Sequence, residues 1–190
     1  NIVLADPKLT IFLPPELTAA TGVDALTHNV EAFLAKNHHP ICDGIALEGI
    51  HLVAQSLEKA YNEGTNLEAR SQMLCASMMG AISFQKGLGA VHSCAHALST
   101  CFDTHHGLAN ALMIESCLHF NVDSCPEKFE RLAQLVKKSD KIDDFFIWLN
   151  ELKEKLNIPK GLSKVEGISI TDKLVETAFK DTCHLNNPKE

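Results

Sequence analysis

The amino-acid sequence predicts an all-α domain, bundle-like, with a short strand at its start. Nearly every segment after residue 13 repeats apolar residues at spacings of three and four, the signature of a helix with one buried face. No alternating apolar–polar run follows residue 6. The breaks between segments carry the Pro, Gly and Asn residues that suit helix ends.

The elements follow in order. NIVLAD (1–6) is an apolar run closed by Pro7 and reads as a strand. A lone strand has no partner within an otherwise helical chain, so it is expected to join another domain's sheet. Residues 1–13 together form this opening strand and a hinge. Pro14-Pro15 precede ELTAATGVDALTHNVEAFLA, with Pro15 at a first-turn position where its missing N–H costs nothing. Gly22 is expected to split that stretch, leaving Asp24 and His28 in the first turns of its second part. NHHP (37–40) is a break. ICDGIALEGIHLVAQSLEKAYNEG follows, with Ile45, Leu47, Ile50, Leu52, Val53 and Leu57 in helical period and Gly64 as its terminator. Asn66 caps LEARSQMLCASMMGAISFQKG, whose Ala, Ser and Met content predicts a helix buried on most sides. GLGAVHSCAHALSTCF is helical from about Ala90, and HHGLANALMIESCLHFN from about His106. PEKFERLAQLVKK, DKIDDFFIWLNELKEKL and ITDKLVETAFKD are amphipathic and more charged, and their Leu, Phe and Trp148 stripes read as core contacts. No repeat, low-complexity tract or composition shift divides the chain, so residues 1–190 are expected to form a single domain.

Composition narrows the function. With 190 residues, 45% of them hydrophobic, the chain can bury a substantial core. A formal net charge of −7 argues against nucleic-acid or acidic-membrane partners, which need concentrated Lys and Arg. No apolar run approaches about 18 residues, so no membrane-spanning helix is expected. The seven cysteines are odd in number and contain no CxxC. Buried reduced thiols in a reducing, cytoplasmic setting explain them better than a disulfide framework.

The chemistry concentrates in five residues. Asp24 and His28 lie four apart on one helix, and His92 and His96 four apart on another, so each pair shares a face. His106 opens a third helix, with His105 beside it as the alternative donor. One carboxylate and several imidazoles suit a divalent ion such as Fe²⁺ or Zn²⁺. His38, His39, His51, His119 and His184 read as capping, core or surface residues. Gly87 and Gly89 form half of a dinucleotide fingerprint, but no strand precedes them and the third glycine is missing; they read as a tight interhelical turn.

DPKLTIFLPPELTAATGVDALTHNVEAFLA, GLGAVHSCAHALS and HHGLANALMIESCLHFN closely resemble the C-terminal domain of the iron-containing (group III) alcohol dehydrogenases, over nearly the whole chain. The resemblance implies the helical, metal-carrying domain of the dehydroquinate synthase-like fold. It implies too that an N-terminal dinucleotide-binding domain of about 170 residues and a final helix lie outside this chain. Carried over residue by residue, it makes Asp24, His28, His92 and His106 the metal ligands. His96 matches a histidine near the nicotinamide that relays protons. The related glycerol dehydrogenases use one Asp and two His with zinc, and a histidine at 28 favours the four-ligand iron-type site. Ala97 and Ser99 stand where the family often has Pro and Gly, and His105 where it often has Pro.

The implied activity is that of an NAD- or NADP-dependent alcohol dehydrogenase or aldehyde reductase acting on a small alcohol or aldehyde. Fe²⁺ or Zn²⁺ would polarise the substrate oxygen, and Leu9 and Leu13 would edge the nicotinamide. The full-length protein is expected to be a homo-oligomer, and this chain alone to be inactive. Two other readings stand beside it: a metal-binding helical module without catalysis, and a metal-assisted hydrolase. The hydrolase ranks last because no further carboxylate is evident beside the ligands as a general base.

Overall fold

The computed structural model describes residues 2–190, folded into eight α-helices: α1 (Pro15–Leu34), α2 (Pro40–Asn62), α3 (Leu67–Ser83), α4 (Ala90–Phe102), α5 (His106–Asn121), α6 (Pro126–Lys137), α7 (Ile142–Lys155) and α8 (Asp172–Lys180). The all-α class and the helix order match the sequence pattern. The opening strand does not form. Residues 2–6 have no regular structure, Ile2, Val3 and Leu4 are exposed, and Asn1 lies outside the described residues. A strand needs a ladder, and no described segment offers one. Asp6 instead caps a short 3-10 turn at Pro7–Thr10, accepting from the Lys8 amide at 2.9 Å.

Helix α1 is the axis of the domain, with α2, α3 and α5 packed around it. It runs unbroken through Gly22, which corrects the expected split. A Cβ at that position would meet Leu57 Cδ1 of α2 at 2.1 Å. Gly22 therefore permits close helix packing and marks no helix end. Val23, Leu26, Val30, Phe33 and Leu34 are sealed in a core with Ile50, Val53 and Leu57 of α2.

Asn66 caps α3 as expected, accepting from the Ala69 amide at 3.1 Å. The helix is less buried than its composition suggested: Ala69, Arg70, Ala76, Gly80 and Ser83 are covered, whereas Met78 and Ile82 are exposed. Its small residues serve one close face, against α1 and α2; the opposite face is left uncovered.

Helices α6 and α7 form a hairpin whose Phe129, Phe145, Phe146, Leu149 and Leu152 extend the core. Trp148 is partly buried, 5.9 Å from the Phe145 ring. Helix α8 lies on α4 and buries only Leu174, so its apolar stripe is not wholly core: Phe179 is 73% exposed. All seven cysteines are free thiols. No described helix is long and apolar enough to cross a membrane.

The C-terminal end of α1 is held by two lysines. Lys128 Nζ donates to the carbonyls of Phe33, Leu34 and Ala35 at 2.9, 3.2 and 3.3 Å, and Lys86 Nζ to that of Phe33 at 3.0 Å. Ammonium groups there complement the free carbonyls and the negative end of the helix dipole. The Lys86 side chain is wholly buried and is paired with Asp43 Oδ1 at 2.5 Å.

Candidate metal centre

Three helices bring the chemistry together. Residues 24, 28 and 31 lie along one face of α1; His92 and His96 along one face of α4; His106 and Asn110 along one face of α5. The crossing of α5 over α1 is set by Gly107, where a Cβ would lie 2.4 Å from the Ala20 carbonyl oxygen. That backbone contact brings His106 over Asp24.

The result is a convergence on Asp24. Its Oδ1 lies 3.4 Å from His106 Nε2 and 3.8 Å from His92 Nε2, while His28 Nε2 and His92 Nε2 are 3.2 Å apart. Asp24, His28 and His92 can each offer a donor atom within 4.8 Å of the others, and His106 stands on the open side of this trio, against Asp24. His92 is 1% exposed at its side chain, Asp24 and His28 each 22%, and His106 37%. The cluster is thus closed at His92 and opens outward past His106.

The far nitrogens of the two inner rings are already committed. His28 Nδ1 donates to the Asp24 backbone carbonyl at 2.9 Å, since a carbonyl can only accept. His92 Nδ1 lies 2.7 Å from Glu31 Oε2, and the Glu31 carboxylate also accepts from the Val91 and His92 amides at 2.7 and 3.2 Å. In neutral rings with both Nδ1 atoms protonated, the Nε2 lone pairs of His28 and His92 face each other across 3.2 Å, beside a carboxylate oxygen. Two facing lone pairs repel unless an electrophile lies between them, and a divalent ion is such an electrophile. Asn110 Nδ2 donates to Asp24 Oδ1 at 2.6 Å, and Asn110 Oδ1 is buried without a partner.

Ionisation follows from this packing. Burial would raise the Asp24 pKa, but the imidazoles of His106, His28 and His92 outweigh it and hold the carboxyl below its ordinary value. Burial and then the neighbouring His92 push His28 down, toward a neutral ring. His106, more exposed and bonded to Asp24, is raised. An ionised carboxylate beside an imidazole held toward its neutral form is the ionisation state in which such residues bind a metal.

His96 is brought near but kept apart. Its ring stacks on His106 with centroids 5.2 Å apart, and its Nδ1 lies 2.8 Å from Asp181 Oδ2, just beyond α8. His105 lines a different cavity, with Glu16, Tyr61 and Leu108, so His106 is the member of that pair that faces Asp24. Leu9 is exposed, and Leu13 lines a cavity with Arg70 and Met73 that none of the four Asp24-cluster residues touches. His39 caps α2, His51 bonds Gln55, and His119 stacks on Phe146, all outside the cluster.

Sequence reasoning missed Glu31, Asn110 and Asp181. The first two had a signal, since each continues the three- or four-residue spacing of a candidate donor on its own helix. Asp181, 85 positions from His96, had none. Glu31 also corrects the expectation that no further carboxylate stands beside these residues. Its oxygens are taken up by three N–H groups, so it orients His92 and is not free as a general base.

Fold and site together define a class: all-helical domains built around converging imidazole and carboxylate donors. The family model described as the Fe-containing alcohol dehydrogenase family, C-terminal, matches residues 18–190. The chain belongs to that family. It is 38% identical to a 4-hydroxybutyrate dehydrogenase of Cupriavidus necator, over 98% of this chain and 51% of that protein. It is 35% identical to a 1,3-propanediol dehydrogenase of Klebsiella pneumoniae, over 100% of this chain and 51% of that one. Among solved structures, a 1,3-propanediol oxidoreductase superposes with a TM-score of 0.93 at 36% identity, covering 97% of this chain and 51% of its own. An iron-containing alcohol dehydrogenase from Thermococcus thioreducens superposes with a TM-score of 0.87 at 27% identity, over 97% and 49%. The chain therefore spans about half the length of the relatives it matches.

Proposed function

We propose that this chain is the metal-binding part of an NAD- or NADP-dependent alcohol dehydrogenase or aldehyde reductase, with Asp24, His28, His92 and His106 holding Fe²⁺ or Zn²⁺. The observation that carries this reading is the pair of facing Nε2 atoms of His28 and His92, 3.2 Å apart beside Asp24. One carboxylate and three imidazoles fit either ion. When bound, the ion supplies Lewis acidity toward the oxygen of a small alcohol or aldehyde, while hydride exchange is the nicotinamide's chemistry.

The chain's own residues have separate parts. Asp24 offers a charged oxygen, and Glu31 keeps the His92 lone pair aimed inward. The open side past His106 admits the substrate. His96, half-exposed and outside the donor cluster, takes up the alcohol proton at Nε2 and passes it to solvent. Leu9 and Leu13 edge the nicotinamide, which a separate nucleotide-binding domain presents. In the assembled, homo-oligomeric enzyme these parts meet in a reducing, cytoplasmic setting. The 190-residue chain alone binds the ion without turning over 1-butanol or 1,2-propanediol, and formation of NADH from either would refute that part of the reading. The alternative of metal-assisted hydrolysis gains nothing from Glu31, whose oxygens are occupied.

Metal analysis after anaerobic preparation tests the site. About one Fe or Zn per chain is expected, and none after His92→Ala combined with His106→Ala. Metal retained by the double variant would show that the ligands lie elsewhere.

A further inference from the structure

We propose that Asp181 is a positioning residue that fixes which nitrogen of His96 carries the proton. The proposal rests on the reading of His96 as the proton relay, and it adds a device that this reading does not contain.

Asp181 follows the last residue of α8 and reaches back to α4. Its Oδ2 lies 2.8 Å from His96 Nδ1. Its Oδ1 accepts from the Cys183 backbone amide and from Ser93 Oγ, each at 2.8 Å. Ser93 Oγ in turn accepts from the His184 amide at 2.9 Å, which turns its hydroxyl proton toward Asp181. The carboxylate is thus held at one oxygen by two donors and presents the other to His96. An ionised carboxylate only accepts, so His96 Nδ1 must donate to it. In the neutral ring the proton then sits on Nδ1, and Nε2 is left bare, as a group that takes a proton from an alcohol requires.

The arrangement makes a sharp prediction for Asp181→Asn, which is nearly isosteric. The Cys183 backbone N–H can only donate, so the asparagine carbonyl oxygen must stay where Oδ1 was. Its NH₂ then faces His96 Nδ1, which can only be an acceptor there. The proton moves to Nε2, the wrong side for a base; the same logic gives the wrong tautomer when the triad aspartate of a serine protease becomes asparagine.

The test is ¹⁵N NMR of the full 190-residue chain, metal-free and labelled at histidine, at a pH where His96 is neutral. His96→Gln identifies the resonances. The wild type is expected to show the Nδ1–H tautomer at His96, and Asp181→Asn the Nε2–H tautomer. A wild-type His96 protonated at Nε2 would overturn the proposal, as would a folded Asp181→Asn chain whose His96 keeps its proton on Nδ1. Should that variant not fold, the wild-type spectrum still decides. A chain that takes up neither Fe nor Zn would remove the dehydrogenase reading while leaving the tautomer result untouched, so the two failures are distinguishable.

Discussion

Glu31 Oε2 lies 2.7 Å from His92 Nδ1, and the same carboxylate caps the first turn of the helix that carries His92. One buried side chain from α1 therefore sets both the place of α4 and the direction of its inner imidazole. Side chains on two helices are thereby locked together.

Replacing Glu31 with Gln should separate these roles. The amide must keep its oxygen toward the Val91 N–H, which turns its NH₂ toward His92 and drives the ring proton to Nε2. Metal affinity should fall about 10–100-fold, the usual effect of losing such a supporting contact. Competition against a chromophoric zinc chelator measures it. Unchanged affinity would show that Glu31 is a helix cap and nothing more.

Gly107→Ala tests whether the crossing of α5 over α1 places His106. The added Cβ would press on the Ala20 backbone, which cannot move aside as a flexible side chain could. A loss of about 1–3 kcal/mol in urea unfolding is expected, together with weaker zinc binding. Gly44→Ala is the control: nothing lies within 4 Å of its Cβ, and a gain of about 0.5–1 kcal/mol is expected in a helix interior.

Asp43→Ala would leave the wholly buried Lys86 ammonium without its carboxylate. Breaking a buried pair costs about 3–5 kcal/mol, and the partial exposure of Asp43 puts the expectation near the lower end. Urea titration reads it directly. A change under about 1 kcal/mol would mean that the Phe33 carbonyl suffices for Lys86.

Acid should weaken the metal-free fold through Asp181. Burial alone would raise its pKa, but the Cys183 amide, His96 and Ser93 bring it well below the ordinary carboxylate range. A carboxyl lowered on folding contributes stability that is fully present above its unfolded pKa. That contribution is lost as pH falls from there through the folded value. Urea midpoints should therefore drop below about pH 4, and Asp181→Asn should flatten the slope in that range. An equally steep slope in the variant would assign the acid sensitivity to other carboxylates, Asp24 first among them.

Much of this protein was legible in the order of its residues. The helical period of the apolar residues, Asn66 as a cap and the turn at Gly87–Gly89 gave the helices, because these are local effects acting within a few positions. The shared faces of the pairs at 24/28 and 92/96 were legible too, because side chains four apart on a helix must lie on one side of it. The opening strand failed because a strand is defined by its partner, and Gly22 was misread because its role depends on Leu57 of another helix. Giving His92 its Glu31 and giving His96 its Asp181 were decisions of tertiary structure, which also turns His106, and not His105, toward Asp24. Each depends on a distance across helices, and local sequence sets which face a residue occupies while packing sets what that face meets.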